Sequence, residues 1–383
     1  MYIIRLMDTE EESLDNSIRR IPENPQVRDR FRGCLLGGAV GDALGAPVEF
    51  MPRSEITARF GEPGIRDYVP AYGRVGAITD DTQMTLFTAE GMLRGWVRCN
   101  MKGIGPAFAA VTAHAYLRWL STQGYEVRML DPGWLITHRE LFSQRAPGST
   151  CISALRSLSG REQRASNNSK GCGGVMRVAP VGMLLSHWSG QDEKSVEETF
   201  KVAADIAAIT HGHPTGQLAA GAFAVVIDLL LRGRAVAEAL AAAKAQLRGR
   251  DHHEETLHAL ELAEELSRCE PSSPTAIKKL GEGWIAEEAL AISVYCALCA
   301  KNLEDGVVLA VNHDGDSDST GAIAGNMLGC LHGVSRIPAR WLEPLEMRDL
   351  ITEVADDLAT APDWKVGGFC TTETEKVYIT CTA

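Results

Sequence analysis

Two acidic clusters are the residues of this chain best suited to chemistry: Thr79, Asp80 and Asp81 in AITDDTQMTLF, and Asp314, Asp316 and Asp318 in NHDGDSDSTGAIAG. Each precedes a helical pattern, where a carboxylate ordinarily accepts orphan backbone N–H groups and faces the positive end of the helix dipole. Three Asp residues crowded into a Gly-containing loop repel one another, and a cation relieves that repulsion most readily. Such hard oxygen donors select magnesium, manganese or calcium over zinc. The loop is not an EF-hand, because the glycine at the sixth position and the distal Glu are not in place. If the two clusters converge, their carboxylates and hydroxyls would furnish a two-metal centre that activates water and orients a substrate.

Three further segments carry candidates. GCLLGGAVGDALGAPVEF is a Gly-rich helix with Asp42 inside it and Glu49 just beyond; an acid beside a metal site can orient or deprotonate water, whereas an isolated Glu at a helix end is merely solvated. SNNSKGCGGVMRVAPVGM opens from Ser169, Gly171, Gly173 and Gly174 into a helix and could present backbone N–H groups to a phosphate, although Gly-rich turns are common. AAITHGHPTGQ puts His211 and His213 at a Pro-marked break between helices, where a capping imidazole is the simpler role than metal ligation.

These residues need rigid elements to hold them, and the surrounding text supplies helices. From Phe31 to Gly333 the stretches DTQMTLFTAEGMLRGW, VEETFKVAADIAAITH, TGQLAAGAFAVVIDLLLRG, AEEALAISVYCALCAK and STGAIAGNMLGCLHG carry apolar residues at three- and four-residue spacing. Strand-like alternation is confined to MYIIRLM and KVYIT near the two ends. The expected class is therefore all-α. Glycine inside a helix is unfavourable by about 0.5–1 kcal/mol relative to Ala, so Gly37, Gly38, Gly41, Gly45, Gly321 and Gly325 imply close approach of helix backbones or of a ligand. The segment 249–283 is the most polar and reads as a surface helix plus loop. Residues 1–28, charged and with Pro22 and Pro25, read as an arm, 29–362 as one helical domain and 363–383 as a tail.

The bulk composition bounds the function. With 45% hydrophobic and 23% charged residues the chain has ample material for a core, and its 383 residues fit one large helical domain. A formal net charge of −12 argues against general nucleic-acid binding and against an anionic membrane surface, so a phosphorylated substrate would need help from a cation. Acidic residues within the first ten positions make an export leader unexpected and the cytoplasm the expected compartment. The ten cysteines, among them Cys34, Cys172, Cys296, Cys299 and Cys330 in apolar or Gly-rich stretches, read as reduced. Cys296 and Cys299 have C-x-x-C spacing without a second pair and belong to a helix core.

Taken in order, GDALGAPVE, TDDT, NNSKGCGGVMRVAP, THGHP and DSDSTGAIAG resemble the ADP-ribosylglycohydrolase family, which includes the dinitrogenase-reductase-activating glycohydrolases and the ADP-ribosyl-acceptor hydrolases. The resemblance runs from about Phe31 to Gly333, and GEGWIAEEALAISVYC, with Trp284 and Glu287, adds a bacterial-looking block. It implies an orthogonal multi-helix fold with a binuclear magnesium or manganese site at the base of an ADP-ribose cleft. By the same resemblance Thr79, Asp80 and Asp81 match one ligand set and Asp316, Asp318 and Ser319 the other; many relatives have Thr in place of Ser319, which keeps the hydroxyl oxygen. Glu49, with Asp81 and Asp316, matches the catalytic acids, and Asn168 or its neighbours, Gly171, Gly173, Gly174, Met176 and His211 would line the cleft. Trp284 either stacks on the adenine or sits in the core.

The activity so implied is metal-dependent removal of ADP-ribose from a modified protein, arginine-linked first, with the acceptor chosen by loops within 121–150. An alternative is an immunity protein that neutralises an ADP-ribosylating toxin by direct contact through residues 1–28, with or without hydrolysis. A phosphodiesterase would explain the carboxylates but not the ordered blocks.

Overall fold

A computed structural model describes residues 24–127, 133–158, 164–187, 193–364, 366, 377 and 378. Among them are sixteen α-helices and no strand, only two isolated bridges, Ala71 with Arg74 and Gly171 with Ile285. The chain runs α1 (Pro25–Gly45), α2 (Arg53–Phe60), α3 (Asp80–Lys102), α4 (Phe108–Thr122), α5 (Ser149–Ser157), α6 (Ala179–Leu185), α7 (Glu193–Ala207) and α8 (Pro214–Leu231). It continues through α9 (Val236–Arg248), α10 (Glu254–Cys269), α11 (Pro274–Leu280), α12 (Ala286–Cys299), α13 (Leu303–Val311), α14 (Ser317–His332), α15 (Ala339–Leu342) and α16 (Arg348–Thr360).

The centre of the molecule is the pair α1 and α14, and the sequence explains why they lie so close. Gly33, Gly37, Gly41 and Gly45 recur every four residues along one face of α1, and they meet Gly329, Gly325, Gly321 and Ser317 in reverse order on α14. The two helices are thus antiparallel and in backbone contact. A Cβ placed on Gly41 would stand 1.9 Å from the carbonyl oxygen of Gly321, and one on Gly329 would stand 1.8 Å from that of Gly33. Beside this seam Gly38 makes room for Asn326, whose Nδ2 donates to the carbonyl of Cys34 at 2.8 Å. The glycines anticipated from the sequence therefore serve helix–helix approach, and the crossing brings the C-terminal end of α1 to the N-terminal end of α14.

Around this pair a single apolar core is built from α3, α6, α8, α12, α13 and α16. Helix α8 is long and apolar enough to cross a membrane by length and composition, yet it is mostly buried against α6, α7 and α9. Local signals set the ends: Asn24 accepts from Gln26 N ahead of Pro25, Thr79 caps α3 and Gly103 closes it with φ +62°, and His213 Nδ1 accepts from Thr215 N to start α8. The polar segment 249–283 contains two helices, α10 and α11, the second capped by Ser273. MYIIRLM lies outside the described residues, as does most of KVYIT; of the latter, Tyr378 is buried, stacked on Trp364 at 5.9 Å and donating to Asp357 Oδ2 at 2.5 Å.

Candidate active site

The antiparallel seam delivers three helix ends to one place. Asp42, in the last turn of α1, is fully buried, and its carboxylate accepts from the backbone N–H groups of Thr79 (3.0 Å) and Thr82 (3.1 Å) and from the Thr82 hydroxyl. This carboxylate fastens the start of α3 to the end of α1. Burial raises the Asp42 carboxyl to about 6, and the Thr82 and Thr79 hydrogen bonds restrain the rise. On the other side Asp316 begins α14, and its backbone N–H donates to the carbonyl of Glu282 at 2.8 Å, tying the loop before α12 to the same point.

At this junction the two acidic clusters converge. Ligand oxygens of Glu49, Asp316 and Asp318 all lie within 4.8 Å of one another, and all three residues are buried. Asp80 and Asp81 press on them electrostatically from the first turn of α3. Burial, reinforced by the neighbouring carboxylates, drives Asp80, Asp81 and Asp318 well above the usual carboxylate range and Glu49 to about 9. Two oxygens, Glu49 Oε2 and Asp81 Oδ1, are buried without any hydrogen-bond partner. Orphaned oxygens among crowded acids are what a divalent cation satisfies, so the all-oxygen donor set fits a hard divalent cation.

The remaining sequence candidates take distinct places. Thr79 Oγ1 accepts from Asp81 N at 3.3 Å, and Asp80 Oδ2 accepts from Gly148 N at the same distance, so both residues also order the backbone. Ser319 directs its hydroxyl toward the sulfurs of Cys172 and Met176, each at 3.7 Å. Asp314 turns away: its Oδ1 accepts from Arg53 N at 2.8 Å and begins α2.

The turn 171–174 packs on His211. A Cβ on Gly173 would come within 3.2 Å of the His211 ring, and one on Gly171 or Gly174 within 3.4 Å, so any larger residue at Gly173 would crowd the imidazole. His211 itself is buried, with Nδ1 2.8 Å from Thr210 Oγ1, and burial together with the nearby Arg177 charge lowers it to about 3, leaving a neutral ring. Asn168 is exposed, and its neighbour Asn167 makes the contacts, accepting from Ser169 N and Gly212 N at 3.0 Å each and donating to Thr210 O at 2.9 Å. Met176 is buried beneath the turn. Trp284 is not a core residue: it is 38% exposed and stacks on Phe50, itself 73% exposed, with centroids 5.8 Å apart.

Several contributors carried no strong sequence signal. Asp42 was visible only as part of a motif, Cys172 lies in a Gly-rich run yet points its thiol at Asp316 Oδ2 from 2.8 Å, and Phe50 looked like any residue after a helix. Arg177, fully buried, stands behind the site over the Tyr116 ring at 4.4 Å and donates to Thr210 Oγ1 at 2.6 Å.

Comparison with known proteins agrees with this geometry. The chain is 27% identical to an ADP-ribosylarginine hydrolase Tri1 of Pseudomonas putida, covering 87% of this chain and 78% of that protein. It is 26% identical to the ADP-ribosyl-[dinitrogen reductase] glycohydrolase of Rhodospirillum rubrum, covering 85% and 92%. A solved structure described as an ADP-ribosylglycohydrolase-related protein complex superposes with a TM-score of 0.64 at 27% identity, covering 88% of this chain and 99% of that one. The sequence profile of the ADP-ribosylglycohydrolase family matches residues 23–366. This chain, with its acids gathered where three helix ends meet, belongs to the ADP-ribosylglycohydrolase family and is a hydrolase of ADP-ribosyl glycosidic bonds.

Proposed function

We propose that the enzyme removes ADP-ribose from arginine side chains of a modified protein, with two divalent cations, magnesium or manganese, held by Thr79, Asp80, Asp81, Asp316, Asp318 and Ser319. The observation that carries this reading is the convergence of the two carboxylate sets around the orphaned oxygens of Glu49 and Asp81. The arginine linkage draws support from the name of the Pseudomonas putida relative, and a protein substrate from that of the Rhodospirillum rubrum one.

When bound, the cations supply fixed positive charge for the hydroxyl and phosphate oxygens of the substrate. The chain's own residues do the rest. Glu49 stands against Asp316 and Asp318 with Oε2 unengaged, so it can hold a proton for the departing acceptor nitrogen or take one from the attacking water. Asp81 and Asp316, the other two acids of the proposed catalytic set, would favour oxocarbenium character as it develops at the anomeric carbon. In the turn 171–174, the Cys172 N–H is taken by Trp284 O and the Gly171 N–H by Ser169 Oγ, which narrows the phosphate-facing groups to Gly173 and Gly174. Trp284, exposed and stacked on Phe50, would offer its other ring face to the adenine, while Met176 and neutral His211, buried behind the turn 171–174, would back the ligand without adding charge.

The test is release of ADP-ribose from arginine-linked and serine-linked ADP-ribosylated proteins, with magnesium, with manganese and with chelator. Release from the arginine-linked protein that stops on chelation is expected. Release only from the serine-linked protein would move the acceptor; release that persists under chelation would remove the metals from the reading.

A further inference from the structure

The expected donor set is all oxygen, yet a sulfur reaches it. Cys172 sits in the turn 171–174 with its backbone N–H held by Trp284 O at 3.1 Å, which fixes where the side chain points. Its thiol donates to Asp316 Oδ2 at 2.8 Å and lies 3.7 Å from Ser319 Oγ. A second observation stands independently of the thiol: Asp81, 3% exposed and close enough to act on Cys172 electrostatically, keeps Oδ1 buried without a partner. A cluster with an idle buried carboxylate oxygen and an adjacent thiol has the donors for a softer cation than magnesium.

Resting on the metal-centre reading above, we propose that Cys172 makes this a mixed sulfur–oxygen site that captures a thiophilic divalent cation, zinc or cadmium, through Cys172 Sγ and Asp316 Oδ2. Ligation replaces the S–H bond by a sulfur–metal bond and releases one proton to solvent; nothing is oxidised or reduced. The reach is short. A tetrahedral zinc with sulfur at about 2.3 Å and carboxylate oxygen at about 2.1 Å holds the two donors about 3.6 Å apart, so Sγ and Oδ2 need to separate by less than about 1 Å. Hard cations gain little from the thiol and leave it protonated against Asp316, so one set of residues would hold either class of ion with different donors.

The experiment is titration of the full chain, stripped with chelator, with cadmium alone, following the ultraviolet sulfur-to-cadmium charge-transfer absorption, alongside manganese binding followed by electron paramagnetic resonance. One equivalent of cadmium should raise the band, excess magnesium should suppress it, and Cys172→Ser should remove it and weaken cadmium at least tenfold while manganese still binds. Cys172→Ala and, with the thiol kept, Asp316→Asn guard against a folding defect in the serine variant; both should diminish the same band. A band that survives in Cys172→Ser, or that excess magnesium leaves unchanged, places cadmium on other thiols and overturns the inference. Manganese failing to bind the unaltered protein would instead overturn the metal-centre reading, and this inference with it.

Discussion

Two buried acidic regions lie side by side at the start of α3 and are built on opposite principles. Glu346, 3% exposed, is fully engaged: Arg145 donates at 3.0 and 3.2 Å, Arg74 at 3.0 Å, and Ile78 N at 3.1 Å. Immediately after Ile78, Asp80 and Asp81 join Glu49, Asp316 and Asp318 in a cluster that no Lys or Arg among the described residues pairs with, and in which two oxygens have no partner. A buried charge without compensation is normally purged, because removing a carboxylate from water is unfavourable by several kcal/mol unless it is paired. The contrast separates an acid that holds the fold from acids kept for something the fold itself does not contain. Glu346 also orders the second region, since Ile78 N is its donor and Arg145 offers its backbone carbonyl to Asp80 N at 3.0 Å.

The largest expected effect comes from emptying the unpaired cluster. Asp80→Ala, Asp316→Ala and Asp318→Ala should each abolish turnover to within about a thousandth of the unaltered rate and lose bound metal, whereas Glu49→Gln should retain metal and turn over about 10²–10⁴-fold more slowly. Metal content and ADP-ribose release, measured on the same samples, distinguish the two. A well-folded Asp318→Ala enzyme with full turnover would dissolve the distinction between the regions.

Stability should respond in the reverse sense. Glu346→Gln leaves Arg145 and Arg74 facing an uncharged group and should destabilise by about 3–5 kcal/mol with or without metal. Asp318→Asn removes one member of a repelling set and should raise the melting temperature of the chelated protein while forfeiting the rise that metal gives. Equal losses for both variants in chelator would mean that the cluster is compensated after all.

How far the sequence foresees this contrast follows from what each signal encodes. Residue type and local spacing were enough for the all-α class, for the acids before α3 and α14, and for the demand that Gly41 and Gly321 meet a close neighbour, because each is a statement about one helix or one turn. Partnership across the chain was not legible. Nothing in DGDSDS says that Asp314 turns to Arg53 N while Asp316 and Asp318 turn inward, nor in NNSKG that Asn167 rather than Asn168 holds the loop. Nothing in LEPLEMRD sets Glu346 apart from its neighbouring acids, and only the approach of Arg145 and Arg74 shows its role. Trp284 was open between adenine platform and core, since a single aromatic before a helix fits both, and its exposure decides against the core.

The two regions should also differ in their response to pH. Glu49 is raised to about 9 by burial and then by Asp316, Asp80 and Asp42, while an unfolded Glu titrates near 4.3. An acid whose folded value lies above its unfolded one is bound to more protons in the folded state, so folding is favoured at low pH and that contribution is lost as pH rises from about 4.3 through about 9. Asp80, Asp81 and Asp318 are shifted in the same direction by burial. The chelated protein should therefore melt at progressively lower temperature between pH 5 and pH 9, and saturating metal should flatten that slope. Asp318→Asn should lessen it, and Glu346→Gln should leave it in place on a lower baseline.

The smallest expected signal is the most direct reading of the comparison. Metal binds the carboxylate form, so protons held by the crowded acids must leave as the ion enters. Mixing the stripped enzyme with manganese at neutral pH in weakly buffered solution should release protons, detectable with an indicator dye or as a buffer-dependent heat in calorimetry. Asp318→Asn, which forfeits the metal, should release almost none. Glu346→Gln should release as many as the unaltered protein, because Glu346 is engaged by Arg145 and Arg74 and is no part of the cluster that the metal enters. Metal uptake without proton release would mean that Glu49, Asp80, Asp81 and Asp318 already stand ionised in the free enzyme, and that charges elsewhere in the chain hold them so.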